Sequence, residues 1–144
     1  METEKPFSDQ NLLILISLPD HPHLKHLCGI LEGHFKKTHL FNFIAYSRQH
    51  GISATERHIR ELIGRNDIRL VLVIQLATDF ELSVEYYASL RKLSKLVFWF
   101  FDDDMFFDAT SKYYAQAADA VITINYFPLM AYRQLEIPCI CYRP

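Results

Sequence analysis

An unbroken apolar run of the chain leads directly into three carboxylates. Residues 96–101 read Leu-Val-Phe-Trp-Phe-Phe, and Asp102, Asp103 and Asp104 follow. Successive side chains of a strand point to opposite faces of the sheet, so this run presents apolar side chains on both faces. Both faces then need covering, as in sheets with helices on either side. The pattern predicts a central strand that ends in an acidic edge.

Apolar runs and helical stripes alternate along the rest of the chain. Further strands are predicted at residues 11–18, 40–46, 68–76, 119–124 and 138–142. Apolar spacing and capping signals predict helices that begin at Pro22, at a capping box over residues 53–56, after Thr78 or Asp79, at Thr110 or Ser111, and at Pro128. This alternation predicts a Rossmann-like, doubly wound α/β fold: a mostly parallel sheet of about six strands with helices on both faces. Residues 1–10 are expected to form a flexible lead-in, and residues 11–144 a single domain.

Composition and net charge indicate which classes of binding partner are not expected. Of the 144 residues, 50% are hydrophobic and 14% aromatic, which excludes a disordered chain. The formal net charge of -2 and the pI near 6.4 indicate no basic surface for nucleic acid. No apolar run approaches the roughly 20 residues of a membrane span, and the first ten residues do not resemble a signal peptide. A cytoplasmic protein without a membrane span is therefore expected.

The three aspartates are the first candidates for chemistry. In open parallel sheets, ligands bind beyond the carboxyl ends of the strands, where residues 102–104 emerge. As an Asp-x-Asp motif, they could chelate a divalent metal. A single carboxylate among them could orient or deprotonate an acceptor hydroxyl. The third interpretation is a solvated turn that caps a helix.

Other polar side chains follow neighbouring strands. His21 comes after the first strand and is a candidate base on its position, and His23 and His26 lie one turn apart and could share a metal. Asp79 and Tyr126 follow the third and fifth strands. Neither G-x-G-x-x-G nor G-x-x-x-x-G-K-[ST] is present, so a bound dinucleotide or P-loop nucleotide is not expected.

Several short segments, in order, resemble a known family of sugar-transferring enzymes. The segments are Tyr-Ser-Arg at 46–48, the strand at 70–74, Leu-Arg-Lys-Leu at 90–93, residues 95–103, Ala-Asp-Ala-Val-Ile-Thr at 118–123, Tyr132, and Tyr-Arg-Pro at 142–144. Together they span about two thirds of the chain. In this order and spacing, the chain resembles the amino-terminal half of the spore maturation protein B type (CgeB-like) glycosyltransferases, which have the GT-B fold.

The resemblance implies an acceptor-side domain. Such enzymes have two Rossmann-like domains, with the acceptor on the first and the nucleotide-sugar donor mainly on the second. Asp102 and Asp103 would then be catalytic carboxylates that face the cleft, and Asp79, His21, Tyr126 and Asp104 would contact a sugar or other hydroxyl-bearing acceptor. No metal or cofactor is expected on this chain. A second α/β domain, in cis or in trans, would supply the donor, and without it no sugar transfer is expected.

Two alternatives stand beside this interpretation. A GT-A-like enzyme would use Asp102–Asp104 to bind a metal and a nucleotide-sugar. A non-catalytic module would keep the fold and pair with itself, as a homodimer, or with another protein through an aromatic surface. The residues proposed for that surface are Phe106, Phe107, Tyr113 and Tyr114.

Overall fold

The fold is a single parallel sheet with helices on both faces. The computed structural model describes residues 6–76 and 81–142. The strands are β1 (Phe7–Leu15), β2 (Phe35–Phe41), β3 (Ile68–Gln75), β4 (Lys95–Phe100), β5 (Ala120–Thr123) and β6 (Cys139–Cys141). The helices are α1 (Pro22–Glu32), α2 (Phe43–His50), α3 (Ile52–Arg65), α4 (Val84–Leu90), α5 (Asp103–Phe106), α6 (Lys112–Gln116) and α7 (Tyr126–Gln134), and a π-helical turn (Phe107–Ser111) joins α5 to α6. The strand order is β2-β1-β3-β4-β5-β6, with every pair parallel, which confirms the predicted Rossmann-like architecture.

β4 is an interior strand that is buried on both faces, as its sequence predicts. Leu96, Phe98 and Phe100 belong to one apolar core. Trp99 belongs to the other core, and Val97 and Phe101 pack against it. The alternating side chains of one short strand thus anchor both hydrophobic layers.

The two faces of the sheet are covered unequally. Buried side chains of α2, α3, α4, α6 and α7 join the core that contains Phe98. On the opposite face, α1 contributes Leu24, Leu27 and Cys28 to the core that contains Trp99. The right-handedness of crossovers between parallel strands explains why the helices divide between the two faces. The crossover after β1 runs towards β2, whereas the later crossovers run in the opposite direction, towards β6.

The first strand and the segment that follows the second strand differ from the prediction. β1 begins at Phe7, so the expected flexible lead-in is in part a strand. β2 ends at Phe41, and the rest of the apolar run predicted as strand 40–46 lies in α2. The Asn42 side chain accepts a hydrogen bond from the Ala45 backbone N–H (3.0 Å), which starts a helix inside the apolar run.

Three predicted helix boundaries are also wrong. Ser53 lies inside α3, whose N-cap is Gly51, so residues 53–56 do not form a capping box. α4 is capped by Ser83, which accepts a hydrogen bond from Tyr86 N–H, and Asp79 lies outside the described residues. The last helix, expected from Pro128, begins two residues earlier, at Tyr126. The helix expected from Thr110 or Ser111 is confirmed as α6, whose N-cap is Ser111, although helical backbone already begins at Asp103.

Among the helices in the described part of the chain, none has the length and apolar character needed to cross a membrane.

Gly51 is predicted to resist substitution. It ends α2 and caps α3 with φ 86° and ψ 164°, a backbone conformation that is almost restricted to glycine. Replacing Gly51 with alanine should lower the free energy of unfolding by about 1–3 kcal/mol, because the penalty is conformational although no atom would contact the new Cβ. Urea unfolding monitored by circular dichroism measures this loss.

Gly29→Ala is the matched control for that substitution. Gly29 is exposed within α1, and the space around a new Cβ there is also open. Alanine should raise the free energy of unfolding by about 0.5–1 kcal/mol, because helical backbone suits alanine better than glycine. Equal effects of the two substitutions would contradict the backbone explanation.

Candidate functional site

A cleft of about 830 Å³ opens at the carboxyl ends of the strands. The chain leaves β1 towards β2 and leaves β3 towards β4, in opposite directions. This makes the space between the ends of β1 and β3 the topological switch point, where doubly wound proteins bind ligands. Leu18, just beyond β1, and Leu76, just beyond β3, both line the cleft.

Polar and apolar side chains share the lining of this cleft. Its polar lining residues are His21, His23, His26, Asp102 and Asn125. The other residues in its wall are Leu18, Leu24, Leu27, Ile30, Leu76, Phe101, Ile124 and Tyr142. A mostly apolar recess with a few convergent polar groups is the usual form of a small-molecule site.

The three aspartates lie in three different environments. Asp102 is half-buried and lines the cleft. Asp103 is 1% exposed, so the expectation that its carboxylate faces an open cleft is wrong. Asp104 is exposed but does not line the cleft. Only the first aspartate is therefore placed to contact a ligand there.

Asp103 forms a buried hydrogen-bonded cluster with two hydroxyl groups. Thr123 at the end of β5 donates to Oδ1 (3.0 Å), and Tyr132 of α7 donates to Oδ2 (3.1 Å). The carboxylate thus ties the end of β4 to the next strand and to the helix behind it. With both oxygens engaged by internal donors, Asp103 is a positioning residue in this fold.

Burial shifts the pKa values of the ionisable groups in and beside this cluster. Loss of solvent raises the pKa of Asp103 to about 6, although hydrogen bonds from Thr123, Tyr132 and Asn125 act in the opposite direction. Burial and the neighbouring Asp103 carboxylate raise the pKa of Tyr132 above its usual range. The same two causes raise the pKa of Cys139 to about 12. Tyr132 and Cys139 are therefore neutral at physiological pH.

A small cavity is lined by Asp103 and by residues that also line the cleft. Its volume is about 10 Å³, enough for about one water molecule. Asp102 lines both this cavity and the cleft, and Asp103, Gln75 and Ser111 are among the other residues that line the cavity. The space is too small for any larger ligand.

The histidines predicted after β1 do gather at the cleft. His21 is the N-cap residue of α1, and its ring centroid lies 5.6 Å from that of His23. His26, one turn further along α1, lines the same wall. Within the described ranges, no group of three or more His, Cys, Asp or Glu side chains is arranged to hold a metal ion. The three imidazoles and Asp102 therefore line the same cleft, and each can form hydrogen bonds there.

Two other predicted contacts fall elsewhere. Tyr126, the first residue of α7, is 69% exposed and does not line the cleft. Asp79 lies outside the described residues. The neighbouring Asn125 is the polar side chain from this loop that lines the cleft, and it was not among the predicted site residues. Its position directly after β5, at the same edge as Asp102, was the signal available in the sequence.

Comparison of the chain with protein-family models gives no match, and comparison with curated proteins likewise gives none.

Asp103 should make stability depend on pH. Its pKa is higher in the folded protein than the ordinary value of 3.8, so the protonated form favours folding. This contribution is fully present below pH 3.8 and is lost as the pH rises through about 6. We expect the free energy of unfolding to lose about 3 kcal/mol from this group between those limits. Urea unfolding at a series of pH values from 4 to 7 measures it.

Asp103→Asn should remove most of this pH dependence. An amide does not ionise, and the Thr123 and Tyr132 hydroxyl groups can rotate to donate to it or accept from it. Asp104→Asn is the control, because Asp104 is exposed and should leave the slope of the wild-type protein unchanged. Parallel pH profiles for the wild type and Asp103→Asn would contradict the assignment.

Proposed function

We propose that this chain is the acceptor-side Rossmann-like domain of a GT-B glycosyltransferase and binds a hydroxyl-bearing acceptor in the cleft. The observation that carries the proposal is the position of Asp102 and three imidazoles around one recess at the topological switch point. The resemblance in sequence to the CgeB-like enzymes supports the same function.

The lining of the cleft suits a sugar-like acceptor. A carboxylate such as Asp102 accepts hydrogen bonds from hydroxyl groups, and neutral imidazoles both donate and accept them. Phe101 and Tyr142 add aromatic surface, against which the apolar faces of a sugar ring can pack. In this arrangement Asp102 would orient the acceptor hydroxyl, and His21 would be the candidate base.

The donor half of the reaction is assigned to another domain. The chain has no glycine-rich phosphate-binding motif, and a nucleotide-sugar would bind on a second α/β domain, in cis or in trans. The active site would then form between the two domains, and this chain alone is not expected to transfer sugar.

Exposed apolar side chains near the same edge favour a second candidate function, a non-catalytic interaction module. Met105, Tyr126 and Phe127 are 77%, 69% and 65% exposed. Of the four residues predicted for such a surface, Phe107 and Tyr114 are buried, Phe106 is half-buried and Tyr113 is 49% exposed. Exposed aromatic and methionine side chains are enriched in protein interfaces, so this surface would contact a second domain or another protein.

Asp102→Asn should weaken acceptor binding. The neutral amide loses the charge-assisted hydrogen bonds from hydroxyl groups, each worth about 1.5–3 kcal/mol, so the affinity should fall at least tenfold. Isothermal titration with maltose as a model hydroxylated ligand, and with a uridine diphosphate sugar as a model donor, measures both parts of the proposal. We expect binding of the first and not of the second.

Asp104→Asn is the matched control, because the neighbouring carboxylate is exposed and does not line the cleft. It should bind maltose with wild-type affinity. Equal losses in both variants, or manganese-dependent binding of the nucleotide-sugar by this chain alone, would contradict the proposed function.

A further inference from the structure

Thr123 connects the buried Asp103 to the wall of the cleft. Its side chain is fully buried, and its hydroxyl oxygen lies 3.0 Å from Asp103 Oδ1. The same oxygen accepts a hydrogen bond from the Asn125 backbone N–H (3.1 Å) and lies 3.4 Å from the Asn125 carbonyl oxygen. Asn125 lines the cleft. One hydroxyl group therefore contacts both a buried carboxylate and a residue of the candidate site.

The Thr123 hydroxyl group has two acceptors within reach but only one hydrogen to donate. The two acceptors are Asp103 Oδ1 and the Asn125 carbonyl oxygen, so the hydrogen is directed to one of them at a time. The Asn125 N–H occupies one lone pair of the hydroxyl oxygen in either case. The group thus has two orientations, and the ionisation of Asp103 decides between them.

An ionised Asp103 attracts the Thr123 hydrogen. A carboxylate only accepts hydrogen bonds, and bonds to it are roughly twice as strong as those between neutral groups. Donation then runs from Asn125 N–H to Thr123 and from Thr123 to Asp103. A hydrogen bond from the Asn125 side chain also favours the ionised form of Asp103. In this state the carboxylate holds the backbone of Asn125 through Thr123 and holds its side-chain amide directly.

Protonation of Asp103 reverses the direction of donation. A carboxylic acid donates one hydrogen bond, and when Asp103 donates to the Thr123 oxygen, the Thr123 hydrogen turns to the Asn125 carbonyl oxygen. That oxygen also accepts the first hydrogen bond of α7, from Leu129 N–H at 3.4 Å. The neutral acid holds the Asn125 amide less strongly than the carboxylate does. The two states therefore differ at the start of α7 and at the Asn125 side chain.

The Asn125 side chain does not cap its own helix. Asn125 is the N-cap residue of α7, where asparagine usually accepts a hydrogen bond from the first turn, but its side chain forms no such bond. Asn42, the N-cap residue of α2, does form it. The Asn125 amide thus lies between Asp103 and the cleft, available to a ligand.

We propose that Asp103 and Thr123 are positioning residues for Asn125, and that loss of the Asp103 proton places the Asn125 amide for ligand binding in the cleft. The consequence for affinity rests on the proposed function. A hydroxylated ligand binds more tightly when Asp103 is ionised, because the amide that it meets is already ordered. Burial raises the pKa of Asp103 to about 6, so affinity increases as the pH rises through that value.

Other ionisable groups also lie beside Asp103 or its small cavity. They are Tyr132 and Arg133 on α7, Cys139 on β6, Tyr114 on α6, and Asp102. The pKa values of the two tyrosines and the cysteine are raised above their ordinary values, so these groups stay neutral near pH 6. Arginine stays cationic. Asp102 and the three histidines of the cleft are common to the wild type and an Asp103 variant, so a ratio of their affinities isolates Asp103.

An NMR titration tests the connection without any ligand. The backbone amide resonance of Asn125 should shift with the same midpoint as the Asp103 carboxyl carbon, at about pH 6. Thr123→Ser keeps the hydroxyl group and should keep this shift, whereas Thr123→Val should lose about half of its amplitude or more. Thr55→Val is the matched control, because Thr55 is equally buried and donates to the Gly51 carbonyl oxygen (2.9 Å), but does not line the cleft. An Asn125 resonance that does not follow Asp103, or follows it fully in Thr123→Val, overturns the inference.

The ratio of maltose affinities of the wild type and Asp103→Asn tests the effect on the cleft. Well above the pKa of Asp103 the wild type should bind about two- to tenfold more tightly, the effect of ordering one side chain, and the ratio should fall to about 1 below that pKa. Asp104→Asn, the exposed control, should match the wild type throughout. A ratio that does not change with pH overturns the inference and leaves the proposed function standing. Absence of maltose binding at every pH contradicts the proposed function, and the NMR titration still decides the inference.

Discussion

The direction in which the chain leaves β1 determines where the candidate ligand-binding cleft lies. Crossovers between parallel strands are right-handed, so a connection towards β2 places α1 on one face, and connections towards β6 place later helices on the other. The same reversal creates the switch point between β1 and β3, where the cleft lies. It also leaves α1 as the helix that packs on the Trp99 core within the described residues.

The buried carboxylate of Asp103 fixes the orientation of the acidic edge. Successive residues of a helix are about 100° apart around its axis, so an aspartate held inward by Thr123 and Tyr132 directs its two neighbours elsewhere. Asp102 is left at the cleft, and Asp104 is left exposed. A cluster that looks uniform in the sequence therefore separates into one positioning group, one site group and one solvated group.

Much of the fold could be predicted from the sequence, because β3 and β4 are buried on both faces of the sheet and their sequences are therefore continuous apolar runs. Helix starts were less predictable: Asn42 begins α2 within an apolar run, and Gly51 begins α3 two residues before Ser53. The location of the candidate site at the carboxyl edge followed from topology. The sequence could not predict which aspartate faces the cleft. That depends on hydroxyl donors from Thr123 and Tyr132, which are 20 and 29 positions away from Asp103.

The two edges of the sheet differ in the polarity of their exposed side chains. Exposed edge strands usually carry charged side chains, which prevent unwanted pairing, and β2 follows this rule with exposed Lys36 and Lys37. Near the other edge, Ile140 and Tyr142 are 58% and 51% exposed beside the half-buried Ile122. If the side chains near this edge contacted only water, polar residues would be expected there, as on β2.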